Sequence, residues 1–126
     1  MRVLISGGAG LVGSNLCKKL LERGNEVIVI DNFITSTKDN LSGLVENRKF
    51  TFIAHDITRP LPKLPKVAQI YHLACPTGVP NLGPLAEEML LVNSLGTRNM
   101  LELARAHNAP LLFTSSCEIY GDPLQS

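Results

Sequence analysis

Gly7, Gly10 and Gly13 recur three residues apart in Ser6-Gly7-Gly8-Ala9-Gly10-Leu11-Val12-Gly13, directly after the apolar run Arg2–Ser6 and directly before an amphipathic stretch. Residues without side chains at a strand-to-helix junction let backbone N–H groups approach an anion at the positive end of a helix, and a pyrophosphate suits such a loop. Gly7 then permits the tight turn, Gly10 the close approach of phosphate, and Gly13 the packing of helix on strand. Three glycines can also be a mere turn, but Asp31 adds a second sign. It ends the next apolar run, 18 residues beyond Gly13. A carboxylate there can accept both hydroxyl hydrogens of a ribose and repels a 2′-phosphate. The pair predicts NAD rather than NADP.

Other candidates sit at later strand ends, where doubly wound folds bind ligands. Asp56-Ile57 follows the third strand, and two readings stand equally: a bond to an adenine amino group, or the start of a turn. His72-Leu-Ala-Cys75 closes the fourth strand; its small residues let backbone lie along a cofactor, and His72 reads as a packed histidine rather than a base. Phe113-Thr-Ser-Ser-Cys-Glu-Ile-Tyr-Gly-Asp122 carries hydroxyls and a carboxylate just past the fifth strand. Taken alone, that segment is an ordinary serine-rich loop.

Positioning these residues requires alternating elements, and the periodicity supplies them. Arg2–Ser6, Glu26–Ile30, Lys49–Ala54, Gln69–Leu73 and Pro110–Ser115 read as strands buried in a sheet. Leu11–Arg23 carries a helical stripe through Val12, Leu16 and Leu20, with Gly24 as its left-handed cap. Thr35–Asn47 has a weak helical pattern, and Leu85–His107 a long one through Met89, Val92, Gly96, Met100 and Leu103. Residues 59–65 and 75–84 are proline-rich connections. The expected fold is α/β: a Rossmann-type doubly wound parallel sheet of about five strands in order 3-2-1-4-5. The whole of 1–126 reads as one domain.

Composition narrows the function classes. The 126 residues are 44% hydrophobic and 18% charged, with net charge +1, which indicates neither nucleic acid nor anionic membrane as partner. No apolar run approaches the ~20 residues of a membrane span, and the strand-like residues straight after Arg2 lead us to expect no signal peptide. The three cysteines, Cys17, Cys75 and Cys117, are widely spaced and show no metal or redox motif. Reduced thiols and a cytoplasmic location are expected.

Five blocks together resemble the extended short-chain dehydrogenase/reductases, the NAD-dependent epimerase/dehydratase family of nucleotide sugars. They are Gly7-x-x-Gly10-x-x-Gly13, Asp31-Asn-Phe33, His72-Leu-Ala74, Asn93-x-x-Gly-Thr-x-Asn99 and Ser115-Ser-x-Glu-x-Tyr-Gly121. Within that family, His72-Leu-Ala-Cys-Pro76 and Ser116-Cys-Glu-Ile-Tyr-Gly-Asp-Pro123 look most like the UDP-glucuronate decarboxylases. The resemblance implies that Gly7, Gly10, Leu11, Val12 and Gly13 hold the NAD pyrophosphate, with Asp31, Asn32 and Phe33 around the adenosine ribose. It implies Asp56 and Ile57 beside adenine, Leu73, Ala74 and Cys75 along the cofactor, and Asn93 near the nicotinamide. Ser116 matches a catalytic hydroxyl that bonds the sugar C4 oxygen, and Glu118 an acidic residue near the sugar. The implied reaction on a UDP- or dTDP-sugar is oxidation at C4, loss of carbon dioxide or water, and re-reduction; the implied assembly is a homodimer.

The resemblance also implies a Tyr-x-x-x-Lys pair, and no such pair occurs among these residues. A sugar hydroxyl is a poor hydride donor until a base takes its proton, and the lysine lowers that tyrosine's pKa. Tyr120 is not that tyrosine and is expected to pack against its loop. The chain is therefore expected to be an amino-terminal NAD-binding part without a substrate domain, inactive alone and prone to self-association through an unpaired fifth strand. Thr77–Pro84 departs from the decarboxylase pattern and leaves the sugar open. Other nucleotide-sugar epimerases or dehydratases, a stand-alone non-catalytic NAD-binding module, and an atypical flavonoid or steroid reductase are the alternative readings.

Overall fold

A computed structural model describes residues 1–121 of the chain. Strands β1 (Arg2–Ser6), β2 (Glu26–Asp31), β3 (Phe50–Ala54), β4 (Gln69–His72) and β5 (Leu111–Phe113) form one sheet, in order β3-β2-β1-β4-β5. All four pairings are parallel. The order matches the sequence expectation, although β5 is only three residues long where six were expected.

Side-chain alternation divides the central strands between two layers. Val3 and Ile5 of β1, with Val27 and Val29 of β2, pack on Cys17, Leu20 and Leu21 of helix α1 (Leu11–Glu22). Leu4, Ile28, Ile30 and Ile70 face the other way, onto Val92, Met100 and Ala104 of the second helical layer. That double burial is why these strands read as unbroken apolar runs. Gly24 takes φ 80 just past α1, and the N–H groups of Gly24 and Asn25 close on the carbonyls of Leu21 and Leu20. The second layer is a helix from Ala86 to His107 in three parts: α2 (Ala86–Leu91), a π turn (Val92–Gly96) and α3 (Thr97–His107). Between β2 and β3 the expected weak helix is a single 3-10 turn, Lys38–Leu41, anchored by buried Leu41.

β1 lies at the centre of the sheet, and its neighbours' connections leave in opposite directions. A crevice above its carboxyl end follows from that reversal. No helix among the described residues is long and apolar enough to cross a membrane.

Candidate functional site

A cleft opens at that carboxyl edge. Gly7 and Gly10 line it after β1, with Asp31 at the end of β2 and Asn32, Ile34, Thr35 and Ser36 beyond it. His55, Asp56, Ile57 and Thr58 follow β3, Leu73 to Pro76 follow β4, and Glu88, Leu91 and Val92 come from the helical layer. Nine of the residues expected around a cofactor thus share one wall: Gly7, Gly10, Asp31, Asn32, Asp56, Ile57, Leu73, Ala74 and Cys75.

The glycines of the loop differ in what they serve. Gly7 has φ 73, and a Cβ there would lie 2.7 Å from the Ala74 backbone, so both its conformation and the segment that follows β4 require glycine. A Cβ on Gly13 would lie 2.3 Å from the Gly7 carbonyl oxygen and 2.6 Å from Gly8 Cα. Gly13 therefore packs α1 against the loop, not against the strand as expected, and is not in the cleft wall. Gly8, not singled out from sequence, lies under the Val29 side chain, 2.6 Å from a Cβ. Gly10 is another matter. It has φ −71, and a Cβ would meet nothing nearer than the Gly7 oxygen at 3.4 Å. The chain's own packing does not demand glycine there, but Gly10 lines the cleft, so a side chain would take ligand space.

Gly10 is also the N-cap of α1, with no side-chain cap and no acidic residue in the first turn. The first N–H groups of a helix have no partner within it, and they carry the positive end of its dipole. Leu11 and Val12, 79% and 66% exposed and outside the cleft wall, could act there only through this backbone.

Asp31 is buried and bonded on both oxygens. Oδ2 accepts the Ala9 N–H at 2.9 Å; Oδ1 accepts the Phe33 N–H at 2.8 Å and the Ser36 hydroxyl at 3.0 Å. A carboxylate has about four acceptor positions, which leaves about one for a ribose hydroxyl where sequence suggested two. Asn40 Nδ2 holds the Ala9 carbonyl at 2.7 Å, so the glycine loop is tied at both ends of one residue. Phe33 adopts φ 60, uncommon for an aromatic residue, and its ring lies 4.9 Å from Phe52. It braces the loop from outside the cleft wall. Asp56 accepts the Thr58 N–H at 2.9 Å and hydroxyl at 2.8 Å, so the turn reading holds while the residue also lines the cleft.

His72 lies beneath the floor and is buried. Its Nδ1 is 2.7 Å from Ser6 Oγ and its Nε2 3.0 Å from Thr97 Oγ1. Burial lowers its pKa to about 4, so the ring is neutral near pH 7 and packed as expected. Asn93, in the π turn, donates to Cys75 Sγ at 3.3 Å and to the Met89 carbonyl at 2.8 Å; it touches the cleft wall without lining it. Cys17 is free and buried, its thiol pushed up to about 12 by burial, and Cys75 is free and exposed.

Ser116 follows β5 and is not in the cleft wall. Glu118 belongs by its backbone to the turn Cys117–Tyr120, and its side chain lies outside the described residues, as do Asp122 and Pro123. Tyr120 is 88% exposed, which corrects the expectation that it packs against its loop. Sequence reasoning missed Ser36, Asn40 and Thr58, and named Asn99 only as the end of a block, without a role. Asn99 Nδ2 holds the carbonyls of Ile57 at 2.7 Å and Arg59 at 3.2 Å. Their signal was faint: short polar side chains that bond a nearby carboxylate or a backbone carbonyl.

Known proteins share this arrangement. The model of the NAD dependent epimerase/dehydratase family matches residues 3–126. UDP-glucuronic acid decarboxylase 5 of Arabidopsis thaliana is 50% identical over 125 residues, covering 98% of this chain and 36% of that protein. The chain spans about a third of the length of the curated relatives it matches, between 28% and 36% for the Arabidopsis decarboxylases. The UDP-glucose 4-epimerase of Thermotoga maritima, solved with UDP-glucose, superposes with TM-score 0.85 at 27% identity over 100% of this chain and 41% of that one. The Bordetella bronchiseptica enzyme WbmG in complex with NAD gives TM-score 0.83 at 29% identity over 99% and 40%. A family match over nearly the whole chain, on a sheet and loop of this geometry, places the chain in the NAD-dependent epimerase/dehydratase family.

Proposed function

We propose that the chain is the NAD-binding part of a nucleotide-sugar-modifying enzyme of the UDP-glucuronate decarboxylase kind. The observation that carries this reading is Gly10, a glycine that the chain's own packing does not demand, lining a carboxylate-bearing cleft at an uncapped helix start. The residues fit the dinucleotide. Gly7, Gly10 and the Leu11–Gly13 backbone would hold the pyrophosphate, and Asp31 with Asn32 the adenosine ribose. Asp56 and Ile57 would border adenine, and Leu73–Cys75 with Asn93 the nicotinamide side. When bound, NAD supplies reversible hydride exchange at C4 of the sugar.

Ser116 would hydrogen-bond the sugar C4 oxygen, and Glu118 would act near the group being lost. Likeness to the decarboxylases supports carbon dioxide as that group. With no Tyr-x-x-x-Lys pair in these residues, no group here takes the C4 proton. The 126-residue chain by itself would bind NAD and leave UDP-glucuronate unchanged. Incubation with NAD and UDP-glucuronate, followed by phosphorus NMR, tests both halves. Expected are line broadening of NAD and an unaltered sugar nucleotide; conversion of the sugar, or no effect on NAD, contradicts the proposal.

A further inference from the structure

Asp31, Asp56 and Glu88 all line the cleft, and among the described residues no lysine or arginine does. A pyrophosphate entering there is itself anionic, so each carboxylate needs a reason to be present. Asp31 and Asp56 have one, since they organise the turns after β2 and β3 through bonds to Ala9, Phe33, Ser36 and Thr58. Glu88 has no such duty. The ion pairs among the described residues are Arg2–Glu26, Lys19–Glu22 and Arg98–Glu102, so none neutralises it. It stands half-buried in the first turn of α2 beside Glu87, which is exposed and outside the cleft wall. A helix start favours acidic residues, and Glu87 meets that preference from the solvent side. The dipole does not explain a second acidic residue in the wall of this cleft.

Resting on the reading of the cleft as an NAD site, we infer that Glu88 sets the charge selectivity of the cofactor site. Its carboxylate holds down affinity for the pyrophosphate and opposes any further phosphate on the ligand, so that NAD binds with moderate affinity and NADP is excluded by Glu88 as well as by Asp31. The neutral isostere isolates the charge. In calorimetric titrations of the full chain at low salt, Glu88→Gln should tighten NAD by roughly threefold to tenfold, the size of one partly screened charge pair. Glu88→Lys should tighten it further, and Glu87→Gln should change nothing. The gain should shrink in high salt, because screening acts on charge and not on cavity shape. Adenosine, which has the base and ribose but no phosphate, should bind wild type and Glu88→Gln alike by saturation-transfer NMR. Equal or weaker NAD binding by Glu88→Gln, or an equal gain for adenosine, overturns the inference while leaving the NAD site standing. Absence of NAD binding by wild type and every variant overturns the reading of the cleft itself.

Discussion

Gly10 and Gly13 have identical chemistry and opposite reasons for being glycine. A Cβ at Gly13 meets backbone at 2.3 Å, and backbone cannot rotate away; a Cβ at Gly10 meets only the Gly7 oxygen at 3.4 Å. Gly13→Ala should therefore destabilise the fold by about 2 kcal/mol or more, the range of overpacking in a rigid site. Gly10→Ala should cost clearly less, about 1 kcal/mol or below, since alanine is only a poorer N-cap than glycine and meets no backbone, yet weaken NAD at least tenfold. Thermal melts beside NAD titrations of the two variants check this; a Gly10→Ala protein that melts early and binds normally reverses the assignment. Sequence spacing marked all three glycines as one motif. It could not separate them, because which atoms stand opposite each Cβ is set by Gly8, Ala74 and the loop path. Asp31 was legible in the same partial way. Its position at the end of β2 was read correctly, but its three bonds depend on where Ala9, Phe33 and Ser36 fall in space.

The helix from Ala86 to His107 shows why periodicity found an element but not its irregularity. Its buried residues Val92, Gly96 and Met100 recur every four, with Ala104 next. On a regular helix of 3.6 residues per turn such a row drifts by about 40° at each step. The wider π turn at Val92–Gly96 absorbs drift and keeps the row on the sheet, a use for which such turns are known near functional sites. Gly96 then lies under Ile57, with a Cβ 2.9 Å from its Cδ1, Thr97 reaches His72, and Asn99 holds the loop after β3. The block Asn93-x-x-Gly-Thr-x-Asn99 is thus a clamp between helix, β4 and the loop after β3. His72 is its hinge, linking β1 through Ser6 to this helix. Its folded pKa of about 4 lies below the ordinary 6.5, so between those values the unfolded chain binds more protons. Stability is then complete above about pH 6.5 and falls as pH drops toward 4, by up to about 3 kcal/mol from this group. Urea melts at pH 7, 5.5 and 4.5 should show that slope in wild type and a flatter one in His72→Gln. Equal slopes would remove His72 from the account.

Seen entire, the molecule is a sheet whose strong centre is offset by bare margins. β1 and β2 are buried on both faces, whereas Leu112 and Phe113 on the β5 edge are 47% and 45% exposed. Leu90 and Leu101 along the helix from Ala86 are 69% and 52% exposed. Fold class, strand order and the cleft's position were all readable from alternating periods and the loop between them, because parallel sheets leave few topologies open. The cleft's negative lining was not readable, since Glu88 lies 57 residues from Asp31 in sequence and joins it only through the β4 crossover. That lining, with Asp31 proposed as the ribose partner, makes the choice between cofactors the sharpest issue. Parallel calorimetric titrations of wild type and Asp31→Ala with NAD and NADP decide it. Wild type should prefer NAD by at least tenfold, and Asp31→Ala should lose about 1–3 kcal/mol for NAD, the worth of a charge-assisted acceptor. Equal binding of the two dinucleotides by wild type, or no binding of either, would contradict the assignment of this cleft as an NAD site.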